Sequence, residues 1–468
     1  MDRDTIGAIS TGMTNSGIGI VRIIGDESFS IIEKIYKGKK NISKVHSHTI
    51  NHGFIMDGED VVDEVLVSIM KGPKTYTGED TVEINCHGGT FVVHKVLDLV
   101  IKAGARGAEP GEITKRAFLN GKMDLSQSEA VIDIINAKND YALSNSISQL
   151  KGTLRNKIDD IRNKIIYQTA FIETMLDDPE NYDNLEYGST LVSVVEGLCS
   201  EINGMIKTFN QGKALTEGIQ TVIVGKPNAG KSSLLNVLAG RDRAIVTDIE
   251  GTTRDILEEN INLGGLSLNI VDTAGIRKAE DIIEKIGVDK TKEYINKADL
   301  VLYVVDSSRI LDENDERIIR LIHNKKLIVL LNKSDLKSVV NKEDLYHRIL
   351  DLQGVSMTDE MKGIKIMEIS AKEEEGIEDF IKILRDTFIR GEINFNDEVY
   401  ISNLRHKEAL VKAFDSLTKV RESIDAGMPE DFYSIDLMDA YQLLGSITGE
   451  TLGEDLVNEI FSKFCLGK

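Results

Sequence analysis

A segment near the middle of the chain carries the pattern of a phosphate-binding loop. Residues 225–232 read GKPNAGKS and match G-x-x-x-x-G-K-[ST], between an apolar run and a run with helical spacing. In a strand, loop and helix unit of this kind, backbone N–H groups surround phosphate oxygens, Lys231 adds a positive charge and Ser232 supplies a hydroxyl to Mg²⁺. The pattern therefore predicts an α/β domain that binds a nucleoside triphosphate.

Two further segments predict where the metal and the base are bound. Asp272 opens the sequence DTAG (residues 272–275) after an apolar run, so its carboxylate can reach the metal while the Gly275 N–H faces the γ-phosphate. The sequence NKSD (residues 332–335) follows another apolar run, and a carboxylate at Asp335 can accept two hydrogen bonds that guanine donates and adenine does not. The nucleotide is therefore expected to be a guanine nucleotide.

The predicted contacts with GTP extend over the whole α/β domain. A loop reading TDIEGTT, residues 247–253, is expected to coordinate Mg²⁺ through Thr253, and SAK, residues 370–372, is similar to the last guanine-contacting loop of GTPases. The residues expected to contact GTP are Asn228, Ala229, Gly230, Lys231, Ser232, Ser233, Thr247, Asp248, Ile249, Glu250, Gly251, Thr252, Thr253, Asp272, Thr273, Ala274, Gly275, Asn332, Lys333, Asp335, Ser370, Ala371 and Lys372.

The residue that follows DTAG is unsuited to positioning a water molecule. Ile276 stands where many small GTPases carry a glutamine, and its side chain makes no hydrogen bond. Glu280, Asp281 and Glu284 follow, and each is a candidate for orienting the attacking water. A solvated helix start is the better explanation for Glu280 and Asp281.

The positive charge needed in the transition state has two candidate sources. Arg254 and Arg277 are candidates for an arginine finger. Alternatively, Asn228 and carbonyls of residues 247–252 can hold a monovalent cation against the phosphates, because hard cations take oxygen ligands. From the residues alone, a loop-forming role for Asn228 is favoured.

Length, charge and cysteine spacing limit the class of protein that this chain can be. A chain of 468 residues predicts about two to four domains. It has no run of about 20 apolar residues and begins with an acidic segment, so we expect a soluble, cytoplasmic protein. Cys86, Cys199 and Cys465 are spaced too widely for a disulfide framework or a metal site. The net charge of −21 argues against a broad basic RNA-binding face and leaves room for a local basic patch or an RNA-carrying partner.

The expected fold is multidomain and combines α+β, all-α and α/β parts. Ser126 and Glu129 fit a capping box that opens a helical region, and helical patterns return after the α/β domain, so we expect that domain to be inserted into a helical one. Near the C-terminus, Leu456, Ile460 and Phe464 recur at helical spacing, which predicts a docked helix that carries the last residues to the N-terminal domain. The expected domains are an N-terminal α+β domain at 1–120, the first part of a helical domain at 121–217, a P-loop GTPase domain at 218–379, and the second helical part with a CLGK tail at 380–468.

These motifs resemble those of one family along the entire chain. GKPNAGKSSLLN, TDIEGTTRD, DTAGIR, NKSD and SAK are joined by YTGEDTVEINCHGG (residues 76–89), RAFLNGKMDLSQSEA (116–130) and the terminal FCLGK (464–468). Together they resemble the MnmE family of bacterial tRNA-modification GTPases, also called TrmE, among the TrmE-Era-EngA-like GTPases. Many families share a phosphate loop, whereas the N-terminal segments and the final five residues are specific to this one.

The resemblance implies a function for the whole chain. It implies a homodimer that works with an FAD-containing partner, MnmG, to add a carboxymethylaminomethyl or aminomethyl group to C5 of the wobble uridine of certain tRNAs. The one-carbon unit would come from 5,10-methylenetetrahydrofolate or 5-formyltetrahydrofolate, bound by the N-terminal α+β domain. The cofactors implied are therefore K⁺, Mg²⁺ and a tetrahydrofolate, with GTP as substrate.

The resemblance also implies roles for individual residues. Glu284 matches the water-orienting acid, and Cys465 matches a cysteine near the folate pocket, where packing is favoured over a nucleophilic role because only nearby lysines would lower its pKa. The implied K⁺ ligands are Asn228, Thr247, Ile249 and Thr252, and the implied folate contacts are Arg22, Glu83, Lys122 and Lys468. Arg22 and Lys468 are expected to pair with the glutamate of the folate, and Glu83 to accept hydrogen bonds from its pterin.

A second class of protein competes with this interpretation. A GTP-driven RNA-binding or ribosome-assembly switch would share the nucleotide motifs and perform no one-carbon chemistry. Such a protein would normally carry a basic RNA-binding domain, which the C-terminal region does not resemble. A dimer scaffold with a vestigial nucleotide site conflicts with the complete set of nucleotide motifs.

Overall fold

A computed structural model describes most of the chain as two compact units. Unit 1 comprises Met1–Ile132, Gln149–Val195 and Asp415–Lys468, and unit 2 comprises Asp133–Ser148 and Glu196–Phe414. The domain bounds expected from the sequence stay a prediction. The described residues are 4–177, 184–241, 259–270, 288–323, 325–353, 364–389, 399–464 and 467.

Unit 1 begins with a seven-stranded sheet that two helices cover on one face. Its strands pair antiparallel in the order β3-β4-β5-β6-β2-β1-β7, except that β7 runs parallel to β1. The strands are β1 Ile6–Ile9, β2 Gly19–Ile24, β3 Tyr36–Gly38, β4 Thr49–Asp57, β5 Asp60–Met70, β6 Thr81–Cys86 and β7 Arg106–Gly107. Helices α1 (Ser28–Ile35) and α2 (Thr90–Lys102) pack on the face formed by alternate residues such as Ile23, Val67 and Ile84. The sheet and its helices confirm an α+β fold at the N-terminus.

Helices account for most of the remaining chain outside the second sheet. No helix among the described residues is long and apolar enough to cross a membrane. These helices are α3 Glu112–Leu119, α4 Leu125–Asn136, α5 Asp140–Leu150, α6 Thr153–Asp177, α7 Asn184–Thr216, α13 Leu404–Asp425, α14 Asp431–Thr448 and α15 Glu454–Ser462.

The capping box at the start of α4 lies two residues before the expected one. Asp124 Oδ1 accepts from the Gln127 N–H (2.9 Å), and Gln127 Oε1 accepts from the Asp124 N–H (3.0 Å). The expected box between Ser126 and Glu129 is therefore wrong, because both residues already lie within the helix. A carboxylate directly before the first turn is also the stronger acceptor near the positive end of the helix dipole.

The last helix docks through two of the three residues expected, Ile460 and Phe464, and through two further residues. Val457, Phe461 and Phe464 are 6%, 1% and 6% exposed and pack with Leu125, whereas Leu456 is 41% exposed. The predicted docking is confirmed for Ile460 and Phe464, whereas Leu456 is not part of the cluster. Phe461 also lies against the Phe118 ring, with centroids 6.1 Å apart.

Unit 2 is built on a six-stranded sheet in the order β13-β12-β11-β8-β10-β9. All neighbouring pairs run parallel except the β9–β10 hairpin. Its strands are β8 Ile219–Val224, β9 Glu259–Leu263, β10 Leu266–Ile270, β11 Leu300–Asp306, β12 Leu327–Asn332 and β13 Ile364–Glu368, and its helices include α8 Lys231–Arg241, α9 Val288–Lys297, α10 Glu313–Leu321, α11 Lys342–Gln353 and α12 Ile377–Phe388.

The parallel pairing places the ends of several strands at one edge of the sheet. β11 and β12 are buried along their entire lengths, as expected for central strands with helices on both faces. At this edge, β8 ends at Val224, β11 at Asp306 and β12 at Asn332. The carboxyl ends of the strands are where doubly wound sheets bind ligands.

Candidate functional site

The phosphate-loop pattern folds as a loop between β8 and α8. Gly225 and Gly230 have φ of +153° and +98°, a backbone region that other residues rarely adopt. A Cβ on Gly225 would lie 2.3 Å from the Val304 carbonyl oxygen, and one on Gly230 would lie 2.0 Å from Asn332 Nδ2. The two glycines are therefore needed for the loop to pack directly against the neighbouring strands.

Asn332 joins the phosphate loop to the base-contacting loop. Its Nδ2 donates to the Ala229 carbonyl (2.8 Å), and its Oδ1 accepts from the Ala371 N–H (3.0 Å). The residue is 2% exposed, so loss of its amide would leave two buried backbone groups without partners. One side chain thus fixes two of the expected nucleotide-contacting segments relative to each other.

Lys231 lies inside the loop, at the first position of α8. Its Nζ donates to the Gly225 and Lys226 carbonyls, each over 2.7 Å. Burial lowers the pKa of Lys231 to about 8. Ser232 and Ser233 follow in the first helical turn, and both are exposed. A partly buried ammonium held by neutral carbonyls can exchange them for anionic phosphate oxygens.

Asp335 is oriented by the loop that follows β13. Ser370 Oγ donates to Asp335 Oδ1 (2.6 Å), and this hydrogen bond lowers the pKa of the exposed carboxyl. Ser370 is fully buried and exchanges two backbone hydrogen bonds with Glu375, both 3.1 Å, so its position is fixed. The structure therefore brings the expected base-reading carboxylate and the SAK loop together.

Lys333 and Lys372, the remaining expected contacts in these loops, are held by carboxylates. Lys333 has φ of +66°, and its Nζ lies 2.6 Å from Asp306 Oδ2. Burial opposes ionisation of Asp306, but hydrogen bonds from Lys333 and Ser308 outweigh it and lower the pKa. Lys372 Nζ donates to Glu373 Oε1 over 2.8 Å at the surface.

A polar network beneath the phosphate loop was not predicted. Lys226 Nζ contacts Asp315 (2.6 Å) and Asp312 (3.0 Å), which together form the capping box of α10. The buried Tyr303 hydroxyl also donates to Asp315, over 2.9 Å. The D-x-x-D spacing before α10 was a visible capping signal, but its contact with Lys226 depends on the tertiary fold.

Asn228 is the described member of the expected cation site. It is exposed at φ +60°, a left-handed conformation that Asn adopts more readily than most residues. The expected site residues that lie outside the described part of the chain are Thr247, Asp248, Ile249, Glu250, Gly251, Thr252, Thr253, Asp272, Thr273, Ala274, Gly275, Glu284, Cys465 and Lys468, together with the candidates Arg254, Ile276, Arg277, Glu280 and Asp281.

In unit 1, two of the expected folate contacts form an ion pair. Arg22 on β2 and Glu83 on β6 lie directly opposite each other, and Arg22 Nη2 is 2.7 Å from Glu83 Oε1. Lys122 Nζ donates to the Pro73 carbonyl over 3.0 Å. Arg22 and Glu83 are therefore adjacent, and their contacts with a folate stay a prediction.

The C-terminal tail contacts the N-terminal strand of unit 1. Ser10 Oγ donates to the Gly467 carbonyl (3.2 Å), and a Cβ on Gly467 would lie 2.0 Å from the Ile9 carbonyl oxygen. Gly467 has φ of +84°, so glycine suits both the conformation and the contact. The expected reach of the tail to the N-terminal domain is confirmed, and its contact with a folate stays a prediction.

The mostly parallel sheet, the glycine-dependent loop and the braced carboxylate define unit 2 as a P-loop nucleotide-binding fold. Residues 5–122 match the family model described as the GTP-binding protein TrmE N-terminus, and residues 125–465 match that of the MnmE helical domain. The chain belongs to the MnmE family. The helical-domain match encloses the entire second sheet, as expected for an inserted domain.

Full-length relatives agree with these matches. Proteins named tRNA modification GTPase MnmE are 51% identical in Lachnoclostridium phytofermentans and 48% identical in Carboxydothermus hydrogenoformans, over 100% of both chains in each case. The protein of that name from Acetivibrio thermocellus is 50% identical over 99% of both chains. The similarity therefore covers all parts of the chain.

Proposed function

We propose that this chain hydrolyses GTP and couples hydrolysis to modification of a tRNA wobble uridine. The observation that carries the proposal is the brace at Asn332, which holds the phosphate loop beside a base loop where Ser370 orients Asp335. The relatives' shared name, tRNA modification GTPase MnmE, supports the reaction class. With an FAD-containing partner, MnmG, the chain would add a carboxymethylaminomethyl or aminomethyl group at C5.

Base selection would come from hydrogen-bond complementarity at Asp335. A carboxylate accepts from two adjacent N–H groups of guanine, whereas adenine presents no such pair of donors at that edge. The Ser370 hydroxyl occupies one side of Oδ1 and so limits rotation of the carboxylate. A base without paired donors would leave Asp335 with an unmatched charge, which supports selection of GTP over ATP.

Phosphate binding would use the loop and Lys231. On binding, the Lys231 ammonium would exchange the carbonyls of Gly225 and Lys226 for terminal phosphate oxygens. Ser232, exposed in the first turn of α8, fits a hydroxyl ligand for Mg²⁺, with Thr253 as the proposed second hydroxyl. A bound Mg²⁺ would neutralise charge on the β- and γ-phosphates.

We further propose that K⁺ takes the place of an arginine finger. The exposed amide of Asn228 is an oxygen donor of the kind a hard cation prefers, and Thr247, Ile249 and Thr252 are the other proposed ligands. Glu284 would orient the attacking water, a role that Ile276 lacks the chemistry to fill. The cation would supply positive charge where negative charge develops in the transition state.

The folate proposal rests on the Arg22 and Glu83 pair. Their side chains are about one-fifth exposed, so a ligand can reach an ion pair that already has a fixed geometry. Glu83, oriented by Arg22, is proposed to accept hydrogen bonds from the pterin, with Lys122 and the tail residue Lys468 meeting the glutamate end. Cys465 would lie beside this site through the tail, where packing is favoured over nucleophilic chemistry.

A homodimer through unit 1 is part of the proposal. The sheet face opposite α1 and α2 exposes apolar side chains, among them Ile50 (68%), Leu66 (47%) and Phe54 (36%). Apolar groups clustered on an otherwise polar surface suit burial against a second copy. The match of residues 5–122 to the TrmE N-terminal model favours this one-carbon function over a ribosome-assembly switch.

Steady-state GTP hydrolysis in KCl and in NaCl tests the hydrolytic part. An arginine finger contributes roughly 10³- to 10⁵-fold, so K⁺ is expected to raise kcat by at least about 10²-fold over Na⁺. Asn228→Ala should reduce the rate in KCl to near the NaCl rate. Glu284→Ala should lower kcat by about 10²- to 10⁴-fold with little change in GTP affinity. Equal rates of GTP hydrolysis in KCl and in NaCl would contradict the K⁺ proposal.

Calorimetry that measures binding of 5-formyltetrahydrofolate to the full chain tests the one-carbon part of the proposed function. We expect binding by the parental protein and its loss in Glu83→Ala, with GTP hydrolysis in KCl retained. The ribosome-assembly alternative requires no folate affinity. Absence of folate binding by the parental protein would therefore favour that alternative.

A further inference from the structure

One edge of the seven-stranded sheet in unit 1 concentrates lysines. Acidic residues number 77 of 468, yet none lies between Glu33 and Asp57. A second stretch without Asp or Glu, residues 65–78, contains two more lysines. The lysines of the two stretches are Lys34, Lys37, Lys39, Lys40, Lys44, Lys71 and Lys74.

Hydrogen bonds bring the two stretches together. The Lys71 N–H donates to Ser47 Oγ (2.9 Å), and its Nζ donates to the Ser43 carbonyl (3.3 Å). His48 Nε2 donates to the Lys74 carbonyl over 3.1 Å. The fold thus places the second acid-free stretch against residues 43–48 of the first, in the segment that joins β3 to β4.

Five lysines at this edge are free to meet a ligand. We call Lys37, Lys39, Lys40, Lys44 and Lys74 the basic edge. All five are exposed, and none forms an ion pair within the part of the chain that the structure describes.

Two carboxylates at this edge accept hydrogen bonds from the backbone. Glu33 Oε1 accepts from the Ser43 N–H (3.2 Å), and Asp80 Oδ1 accepts from the Gly72 N–H (2.9 Å). Lys34 and Lys71 are left out of the basic edge because their ammonium groups donate to carbonyls. Five lysines outnumber these two carboxylates, so this edge carries an excess of positive charge in a chain of net charge −21.

Protection of an exposed strand explains only part of this arrangement. β3 is the edge strand of the sheet, and lysines there discourage pairing with another chain. That reason applies to Lys37 within β3 and to its neighbours. It does not apply to Lys44, which ends a short 3₁₀ helix, or to Lys74 in the loop before β6. Self-repulsion among such cations is relieved most directly by an anionic partner.

We propose that the basic edge binds the phosphate backbone of a duplex stem in the substrate tRNA. The inference rests on the proposed function, which supplies the identity of the RNA. A duplex carries one phosphate charge per roughly 1.7 Å of axis, so several lysines can each find a phosphate. Lysines act as point charges and lack the fork that reads base edges. The basic edge therefore positions tRNA without selecting its sequence.

Salt-dependent binding of an unmodified tRNA transcript to the full-length protein tests the proposal. Two triple variants are compared: Lys39→Gln/Lys40→Gln/Lys44→Gln in the basic edge, and Lys102→Gln/Lys151→Gln/Lys419→Gln at exposed positions elsewhere in unit 1. Both change the net charge equally. Affinity is measured from about 50 to 200 mM KCl, the range over which phosphate contacts have large effects. GTP hydrolysis and dimer mass are measured on the same samples.

We expect the edge variant to bind at least about tenfold more weakly at ~100 mM KCl. The slope of log K against log salt is negative, and each lost phosphate contact makes it less steep by about 0.9. The slope of the edge variant should therefore be less steep by roughly 2 to 3. The control variant should match the parental protein, and hydrolysis should be unchanged in both.

Four results would overturn the inference: parental affinity in the edge variant, equal losses in both variants, loss of the dimer in place of RNA binding, or no tRNA binding by the parental protein. The third would assign the edge to a second copy of the chain. If K⁺-dependent GTP hydrolysis is intact in the same samples, any of these results contradicts the inference about the basic edge and leaves the hydrolytic part of the proposed function standing.

Discussion

Lys226 Nζ lies 2.6 Å from Asp315 Oδ2, so the second residue of the phosphate loop is held by a carboxylate that is only 1% exposed. Burial opposes the charge on Lys226, but the hydrogen bonds that its ammonium donates to Asp315 and Asp312 outweigh this and raise the pKa of Lys226. Asp315 also caps α10 and accepts from Tyr303, so the loop is connected to a strand and a helix at once. The position of the loop therefore depends on Asp315 and Tyr303, which are not among the expected nucleotide contacts.

Replacement of Lys226 should weaken both stability and nucleotide binding. Lys226→Met would leave the buried Asp315 without its cation, at a cost of about 3 kcal/mol in the free energy of unfolding. That value is at the low end for a buried pair, because Lys226 is partly exposed and Asp315 keeps two hydrogen bonds. Kd for GTP and GDP should rise together by up to about tenfold with little change in kcat.

Tyr303→Phe provides the matched control for that experiment. It removes one hydrogen bond to Asp315 and leaves the ion pair, so the expected loss is about 1 kcal/mol with parental nucleotide affinity. Denaturant unfolding and nucleotide titration measure both quantities. Parental stability and affinity in Lys226→Met would show that the network does not position the loop.

Nucleotide affinity should fall as the pH rises above about 8. Burial lowers the pKa of Lys231 to about 8 in the free protein, and phosphate oxygens favour its charged form, so the pKa is higher in the complex. At a pH between the pKa of Lys231 in the free protein and its pKa in the complex, nucleotide binding is accompanied by uptake of a proton. Affinity should then weaken by up to about tenfold per pH unit, and be flat just below pH 8.

Titration calorimetry with GDP at about pH 7 and 9 checks this linkage. Proton uptake should be near zero at the lower pH and approach one proton at the higher pH. Lys231→Met should remove the uptake along with most of the affinity. Equal affinity and no uptake at the higher pH would contradict the assignment of Lys231 as a desolvated phosphate ligand.

Removal of the C-terminal tail should separate hydrolysis from modification. Deletion of residues 465–468 removes the contact between Ser10 and Gly467 and spares Phe464, which is buried in the cluster that docks α15. We expect parental GTP hydrolysis in KCl, weaker binding of 5-formyltetrahydrofolate and loss of tRNA modification.

The point variant Gly467→Ala serves as a check on the deletion. Its Cβ would collide with the Ile9 carbonyl, so it should reproduce the folate defect in an otherwise complete chain. Full modification by the truncated protein would show that the tail has no part in the reaction.

The phosphate loop was predictable because its requirements are local. Gly225 and Gly230 adopt backbone conformations that favour glycine, and Lys231 must begin the helix that follows. Asp335 was predictable for a similar reason, since it follows a fully buried strand whose end is fixed by the sheet. Such features appear in the sequence as short patterns between apolar runs.

Contacts between distant segments were not predictable in the same way. The amide of Asn332, an expected nucleotide contact, also braces Ala229, a residue 103 positions away in the chain, and the pattern does not predict that contact. The pairing of Lys226 with Asp315 likewise depends on where α10 lies in the fold. A short pattern identifies the residue type, and the tertiary structure decides its partner.

The errors at helix ends have simple causes. Asp124 and Ser126 both offer an acceptor near the start of α4, and the carboxylate of Asp124 is the one that caps it. For α15, Leu456 and Val457 are both apolar, so spacing alone does not decide which of the two packs into the core. The burial of Phe461 settles it.

The central claim is that GTP, read by Asp335, drives tRNA modification by this chain. Asp335→Asn should lose recognition of guanine and gain recognition of xanthine, because the amide can donate to the carbonyl that xanthine carries in place of the guanine amino group. Ser370 can still donate to the remaining side-chain oxygen, so the loop should keep its geometry.

Wobble-uridine modification by the full chain with the proposed FAD-containing partner, in KCl with 5,10-methylenetetrahydrofolate, tests this claim most directly. The account predicts that Asp335→Asn modifies tRNA with XTP and not with GTP, while the parental protein shows the reverse preference. Modification by Asp335→Asn at the parental rate with GTP, or by the parental protein without any nucleotide, would contradict it.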